Sequence, residues 1–501
     1  MKFLSNPFLI FLLGLTSLTA QRSYEAVARS IGISSMDEFR EFLSLPNDAS
    51  NPDQITANIS WVKAQLQALD FEVNMLETSS LPLLLANLKV KKGIPTIALY
   101  MHLDGQAVDG SQWNQENPYQ AVLKVKRGAA YEEISWDKLQ GNAIEDYRIF
   151  ARSSADDKGP FVMLLTALKY LKSERKDPAF NLKLILDFEE EQSSPGLPVA
   201  VKKYKDQLLA DLLLILDGPV HSSGKPTLVF GNRGIATLTL TTFGPLMPQH
   251  SGHYGNYLPN PALDLSKILA SMKDDQGRVV IPGFYEGIVL DAAAKKILEG
   301  VPAEEKAIKE RTQTKRNDLV GNTYQESIQY PSLNIRGMQS GWIGKDARTI
   351  IPATATAEMD IRLVLESDPY KLIEGVKQHL IGMGYTVLDH EPNREERMSL
   401  DRIIQMNSKV AYPAFRTATE SKEGIWLNQL LSEYYKESPV IIRTSGGSVP
   451  ISPFVSELGV PAIGLPTVNL DNNQHSPNEN LRVGNYFTGI ESFLALLTTK
   501  F

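Results

Sequence analysis

Thr96-Ile97-Ala98-Leu99-Tyr100-Met101-His102-Leu103-Asp104 is a near-continuous apolar run that ends in His-x-Asp. Gly93 and Pro95 open it and Gly105 closes it, so it reads as a strand buried on both faces. Side chains at i and i+2 of a strand point the same way, which puts His102 and Asp104 together at its carboxyl end. A metal-bound His usually donates its second ring N–H to a carboxylate, which fixes the tautomer and raises ligand basicity. His-x-Asp at the end of a buried strand supplies a ligand and its orienter together. On its own, the pair reads equally as a surface turn with an ordinary His.

Outward from this run, strands alternate with helices. Helical spacing marks 35–45 and 54–69, and strand-like runs cover 71–76 and 83–90. Residues 113–147 are polar and read as a long loop with short elements. A helix is expected over 160–170, opened by Pro160, because Pro is tolerated in the first helical turn. Buried strands are expected over 181–188 and 211–217, with a helix over 198–204 between them. Such alternation predicts an α/β fold with a mostly parallel sheet flanked by helices and right-handed crossovers. Ligands bind such sheets outside the carboxyl ends of the strands. Near Gly231 the pattern changes. Residues 235–243 alternate in period two, 261–272 read as helix, and 354–364, 370–381 and 385–390 read strand, helix, strand. This is an α+β insert over 236–400, between catalytic parts at 21–235 and 401–501. Towards the end, 425–435 and 486–497 read as helices, with short strands at 440–442 and 462–465.

A chain of 501 residues exceeds what one core supports, so at least two domains are expected. Hydrophobic content of 43% and charged content of 22% are those of an ordinary globular protein. A net charge of −7 gives no electrostatic case for nucleic acid. With no cysteine, disulfides, thiolate metal sites and Cys nucleophiles are excluded, and any metal must be held by His and carboxylates. Residues 1–20 carry Lys2, an apolar block over 8–15 and Leu18-Thr19-Ala20 before Gln21, the pattern of a cleaved signal peptide. The apolar part is too short to span a bilayer; an uncleaved anchor is the alternative. The expected product is exported, periplasmic or secreted, and free of the membrane after cleavage.

Acidic residues recur at the carboxyl ends of the buried strands. His102 and Asp104 end one, Asp156 follows another, Glu190 and Glu191 end a third, Asp217 ends a fourth, and His475 follows the last. Each has a plain alternative: Asp156 a helix cap, residues 189–191 a solvated charge run, Asp217-Gly218 a turn, His475 a loop residue. Their coincidence on one rim is harder to explain that way. Converging carboxylates repel one another, and a divalent metal pair resolves the conflict. Two His and several carboxylates suit zinc or a similar ion. Metal-activated water still needs a free carboxylate to carry its proton to the leaving group.

These motifs together resemble the metallopeptidase family of carnosinase-type dipeptidases, aminoacylase, glutamate carboxypeptidase and the desuccinylase of lysine synthesis. The likeness runs from about Gln54 to the C-terminus. It implies a zinc-exopeptidase-like catalytic domain with two divalent metal ions, zinc or else manganese or cobalt. It implies His102 and Asp217 on one metal, Glu191 and His475 on the other, and Asp156 of Ala-Asp-Asp-Lys-Gly-Pro bridging them, with a cis peptide after it. Glu190 would be the general base, and Asp104 the partner of His102. The insert matches the family's lid, through which homodimers form. His250 of His-Ser-Gly resembles a lid His that stabilises the oxyanion in the partner's site. Thr349, Arg362 and Ser448 resemble contacts to a substrate carboxylate, for which an Arg fork is suited. The plain alternatives are a salt bridge within the lid for Arg362 and a turn for Ser448.

Three positions depart from the family pattern. Ala151-Arg152-Ser153 stands where Gly-Arg-Gly is common, Gln192-Ser193 replaces a Gly after the Glu pair, and His253-Tyr254-Gly255-Asn256 follows His250-Ser-Gly in place of a double glycine. The implied activity is that of a dipeptidase or carboxypeptidase acting next to a free carboxylate on a small peptide. The alternatives are an N-acyl amino acid deacylase and, from another class, a secreted binding module without turnover.

Overall fold

The computed structural model describes residues 24–88 and 91–501. The expected signal peptide, and the end of the strand expected over 83–90, lie outside these residues. Two compact units emerge. One comprises the described residues up to Phe230 with Thr417–Ile442 and Pro453–Phe501; the other comprises Gly231–Arg416 and Arg443–Ser452.

The first unit is built on an eight-stranded sheet in the order Glu72–Leu76, Leu83–Asn87, Asn181–Asp187, Thr96–His102, Leu212–Ile215, Ala462–Gly464, Thr227–Val229, Val440–Ile442. The four strands from Asn181–Asp187 to Ala462–Gly464 run parallel, so their carboxyl ends share one rim. The sheet as a whole is mixed. Glu72–Leu76 and Leu83–Asn87 form an antiparallel hairpin that pairs antiparallel with Asn181–Asp187, because a short connection can only return a neighbouring strand antiparallel. Every residue of Asn181–Asp187 is buried, as expected of a strand covered on both faces. Helices Lys158–Ser173 and Val483–Thr498 pack against each other over this core.

Within the polar stretch at 113–147 the structure forms a hairpin, Val122–Arg127 with Ala130–Ile134, turned by Gly128 at φ +60°. Its Lys124-Val125-Lys126-Arg127 segment has too little apolar content to announce a strand. The hairpin joins Arg148–Phe150 and Asn480–Arg482 in a four-stranded antiparallel sheet. Phe150 is thereby paired with Asn480, which brings two distant loops to one place.

The second unit has a five-stranded sheet in the order Ser332–Gln339, Thr354–Leu363, Gly234–Phe243, Ile403–Tyr412, Thr386–Leu388. Gly234–Phe243 alternates buried and half-buried side chains at every step. Leu238, Leu240 and Ile361 from the sheet meet Ile268 of Pro261–Ser271 and Val376 of Pro369–Gly382 in a core of its own. The expected boundary at 400 falls short of Ile403–Tyr412, which pairs with Gly234–Phe243 over most of its length. Ser448 belongs to this unit and not to the second catalytic part, since Ser445 and Gly447 accept hydrogen bonds from Arg233. Among the described residues no helix is long and apolar enough to cross a membrane.

Candidate metal centre

His102 is the last residue of its strand, and the chain turns at once through Leu103 and Asp104. Both polar side chains are almost wholly buried. His102 Nδ1 lies 3.3 Å from Asp104 Oδ1, while Nε2 lies 2.8 Å from Asp156 Oδ1. The ring is held by one carboxylate on each side. Asp104 also reaches the glutamate pair, since its two oxygens accept the backbone N–H groups of Glu190 and Glu191 at 3.1 and 3.0 Å. One carboxylate thus orients the imidazole and pins the glutamates.

Asp156 sits between Arg148–Phe150 and helix Lys158–Ser173, and the Asp156–Asp157 peptide is cis. Glycine is required at position 159, where a Cβ would stand 2.2 Å from the Ser154 carbonyl oxygen. Lys158 is buried and donates to the carbonyls of Phe42 and Leu45 at 2.9 and 2.6 Å, anchoring the helix start to the N-terminal segment. The free oxygen of Asp156, Oδ2, lies 3.1 Å from His475 Nε2. His475 is reached on a loop in which Asn473, His475 and Asn478 all take left-handed φ values, a conformation that Asn and His adopt more readily than most residues.

The third contributor follows strand Asn181–Asp187. The expected run of three glutamates at its end is instead a turn, with Glu190–Gln192 in a single 3₁₀ turn. Glu189 points away and accepts Leu81 N at 3.3 Å. Glu191 Oε2 lies 3.3 Å from His475 Nε2 and accepts Gln106 Nε2 at 2.7 Å. Gln106 lies two residues beyond Asp104, and its only sequence signal is that proximity. Asp217 follows strand Leu212–Ile215 by two residues.

Two donor triads result, His102–Asp156–Asp217 and Asp156–Glu191–His475, each with its ligand atoms within 4.8 Å of one another. They share Asp156. The structure therefore brings all five expected ligands into one cluster, with Glu190 and Asp104 beside them. Burial pushes the Glu190 carboxyl well up, although the nearby His102 pulls the other way. Burial, and then the Asp156 charge, push Glu191 up to about 7 and raise Asp217. Burial would raise Asp156 too, but the His102 and His475 hydrogen bonds outweigh it and hold it low. His475 is pushed up to about 9, chiefly by Asp156. Carboxylates that resist ionising side by side, with imidazoles drawn toward the cationic form, are a donor set that fits divalent cations.

The residues expected to meet substrate lie in the second unit. Arg362 Nη1 donates to Ser448 Oγ at 2.9 Å, and Arg362 Nε lies 3.4 Å from Asp360 Oδ2. Arg362 therefore keeps an internal salt bridge and a polar neighbour at once. His250 ends the short ladder of Gln249–His250 with Ile350–Ile351, Thr349 directly precedes its second strand, and both are exposed. His250 Nδ1 accepts Gly252 N at 3.0 Å, leaving Nε2 on the outer side of the ring.

Residues 98–499 match Peptidase family M20/M25/M40. The chain is 26% identical over 472 residues to a Cys-Gly metallodipeptidase of Candida albicans, covering 90% of each. It is 25% identical over 422 residues to the Beta-Ala-His dipeptidase of Mus musculus, covering 83% of this chain and 79% of that one. The solved structure of an M20 family metallo-carboxypeptidase from Sulfolobus solfataricus matches with a TM-score of 0.76 at 26% identity, over 92% of this chain and 98% of that one. The match spans every strand end that bears a donor, from the rim at His102 to the loop at His475, and by it the chain belongs to peptidase family M20/M25/M40.

Proposed function

We propose that the protein is an exported dinuclear metallopeptidase that hydrolyses dipeptides next to a free carboxylate. The observation that carries this reading is the single carboxylate, Asp156, set between two imidazoles and shared by both donor triads. His102 and Asp217 would hold one ion, Glu191 and His475 the other, and Asp156 both. A pair of zinc ions, or of manganese or cobalt, would polarise the scissile carbonyl and make hydroxide available near pH 7. Glu190 belongs to neither triad, and burial pushes its carboxyl well above the usual carboxylate range; a carboxyl outside the ligand set is the one free to act as general base. It takes the proton of the attacking water and returns it to the leaving nitrogen. Asp104 keeps Glu190 in place through its backbone N–H.

Arg362, Ser448 and Thr349 receive the substrate's carboxylate, and His250 stabilises the oxyanion. The dipeptidase names of the two relatives favour short peptides over N-acyl amino acids. Residues 1–20 direct export, and the second unit carries the homodimer contact. Support for the latter is the edge strand Ser332–Gln339, whose Ile335 and Met338 are 43% and 53% exposed; open apolar edges are templates for pairing.

The test is hydrolysis of a panel of dipeptides, C-terminally amidated dipeptides and N-acyl amino acids, with and without chelator. Glu190→Gln is expected to bind metal as the wild type does while kcat falls at least ~100-fold. Preferential cleavage of acyl amino acids would move the assignment to a deacylase. Absence of turnover with any metal would leave a binding protein.

A further inference from the structure

The Asp156 turn is held by a residue that belongs to neither triad. Glu479 is completely buried. Its Oε1 accepts Ala155 N at 2.9 Å and Asp156 N at 3.0 Å; its Oε2 accepts Ser153 N at 3.0 Å and Arg152 Nη1 at 2.8 Å. An ionised carboxylate has about four lone-pair sites, and all four are engaged here. The Glu479 carbonyl accepts Ala151 N at 3.2 Å as well. Arg152 is itself fixed, its guanidinium 5.3 Å from the centre of the Trp113 ring.

Glu479 is four residues from His475 in His475-Ser-Pro-Asn-Glu479, on the loop that supplies the second imidazole. One side chain therefore joins the loop of the shared carboxylate to the loop of His475, beside the Phe150–Asn480 pairing. Ser153 is held at φ +62° within the same turn. That conformation is costly for a residue with a Cβ and needs surrounding contacts to persist. The Glu479 bond to its N–H and the Asn47 contacts to its Oγ at 3.0 and 3.3 Å provide them. A buried ion pair contributes little net stability, because desolvation offsets most of the attraction. Four donors directed at one carboxylate make better sense as a device that sets geometry.

We propose that Glu479 is a positioning residue: by clamping the 153–156 backbone and the Arg152 side chain to the His475 loop it places the Asp156 carboxylate between His102 and His475, and so sets metal affinity. The inference rests on the dinuclear reading above but is separable from it. Zn²⁺ affinity is measured by competition with a chromogenic chelator on the full mature chain, for wild type, Glu479→Gln and Glu479→Asp. Folding is followed by circular dichroism, and kcat and KM by dipeptide hydrolysis at saturating Zn²⁺. Glu479→Gln keeps the shape but turns one acceptor into a donor facing N–H groups. Glu479→Asp keeps the charge but cannot reach all four donors. Both are expected to fold and to lose Zn²⁺ affinity, by about 10–100-fold for Gln and less for Asp, the range seen when groups supporting metal ligands are removed. At saturating Zn²⁺, kcat falls and KM stays within about twofold, since the substrate contacts are untouched. Wild-type Zn²⁺ affinity in either folded variant overturns the proposal. Failure of both variants to fold also overturns it, making Glu479 a folding determinant. Wild-type protein that takes up no divalent ion sinks the dinuclear reading instead.

Discussion

Single residues in the cluster carry distinguishable consequences. Arg362, the proposed carboxylate contact, is held in position by its own neighbours Asp360 and Ser448. Arg362→Lys loses the bidentate fork, so KM for dipeptides is expected to rise about 10-fold or more with kcat little changed. Amidated dipeptides, which lack the carboxylate that Arg362 is proposed to bind, should be indifferent to the change; an equal loss on both would remove Arg362 from carboxylate recognition. Gly159 is a test of space. A Cβ there would meet Ser154 O at 2.2 Å and Leu481 Cδ2 at 3.0 Å, and a backbone carbonyl in a packed turn has little room to move. Gly159→Ala is expected to lower stability by about 1–3 kcal/mol, measured by urea unfolding. Metal affinity should fall with it, because the strained turn is the one that bears Asp156.

Among the elements, two segments make stability predictions independent of catalysis. Ser193 caps the turn after the glutamate pair at φ +69° and is exposed, where a family glycine would sit without strain. Ser193→Gly is expected to stabilise by about 0.5–1 kcal/mol, visible as a rise in Tm. Helix Val483–Thr498 carries Glu491, pushed up to about 7 by burial against an opposing hydrogen bond from Tyr434 at 2.9 Å. A raised folded-state value means the folded protein holds a proton that the unfolded chain has released. Stability therefore falls as pH rises from about 4.5 through 7, and the penalty is complete above that window. Glu491→Gln should be near neutral at pH 5 and stabilising at pH 8, by on the order of 1 kcal/mol after solvent screening. A pH-independent effect would show that Glu491 does not titrate in this window.

For the whole molecule, two units with separate cores should melt as more than one calorimetric transition. Metal linkage belongs to the unit that carries both triads, so chelator should lower the transition of that unit and leave the other in place. The proposed dimer predicts a sedimentation mass of twice the chain. Met338→Lys on the exposed edge strand should halve it without loss of secondary structure. Export predicts a mature N-terminus at Gln21, read by sequencing the protein recovered outside the cytoplasm.

The alternation of buried strands and helices made the fold class legible in the chain, because burial on both faces writes itself as unbroken apolar runs such as 96–104 and 211–217. Three of the five candidate ligands, His102, Glu191 and Asp217, were visible for a related reason: a parallel sheet exposes its carboxyl ends on one rim, and polar residues there stand out against apolar strands. Asp156 and His475 were expected on that rim too, but they lie in loops beside Arg148–Phe150 and Asn480–Arg482 of the separate antiparallel sheet, and their place in the ligand set came from the family resemblance. Local sequence says far less about partners that come from afar. The hairpin at 122–134 was hidden by its charge, and the assignment of 403–412 to the second unit depends on a pairing partner some 170 residues earlier. The hold of Asp104 on the glutamate backbone, the turning away of Glu189 and the four donors on Glu479 exist only once distant loops meet. Composition and periodicity record which side chains leave water, whereas hydrogen-bond geometry depends on backbone groups that every residue carries alike. That is why the rim could be read from the chain, while the clamp that sets Asp156 within it was decided by the tertiary structure.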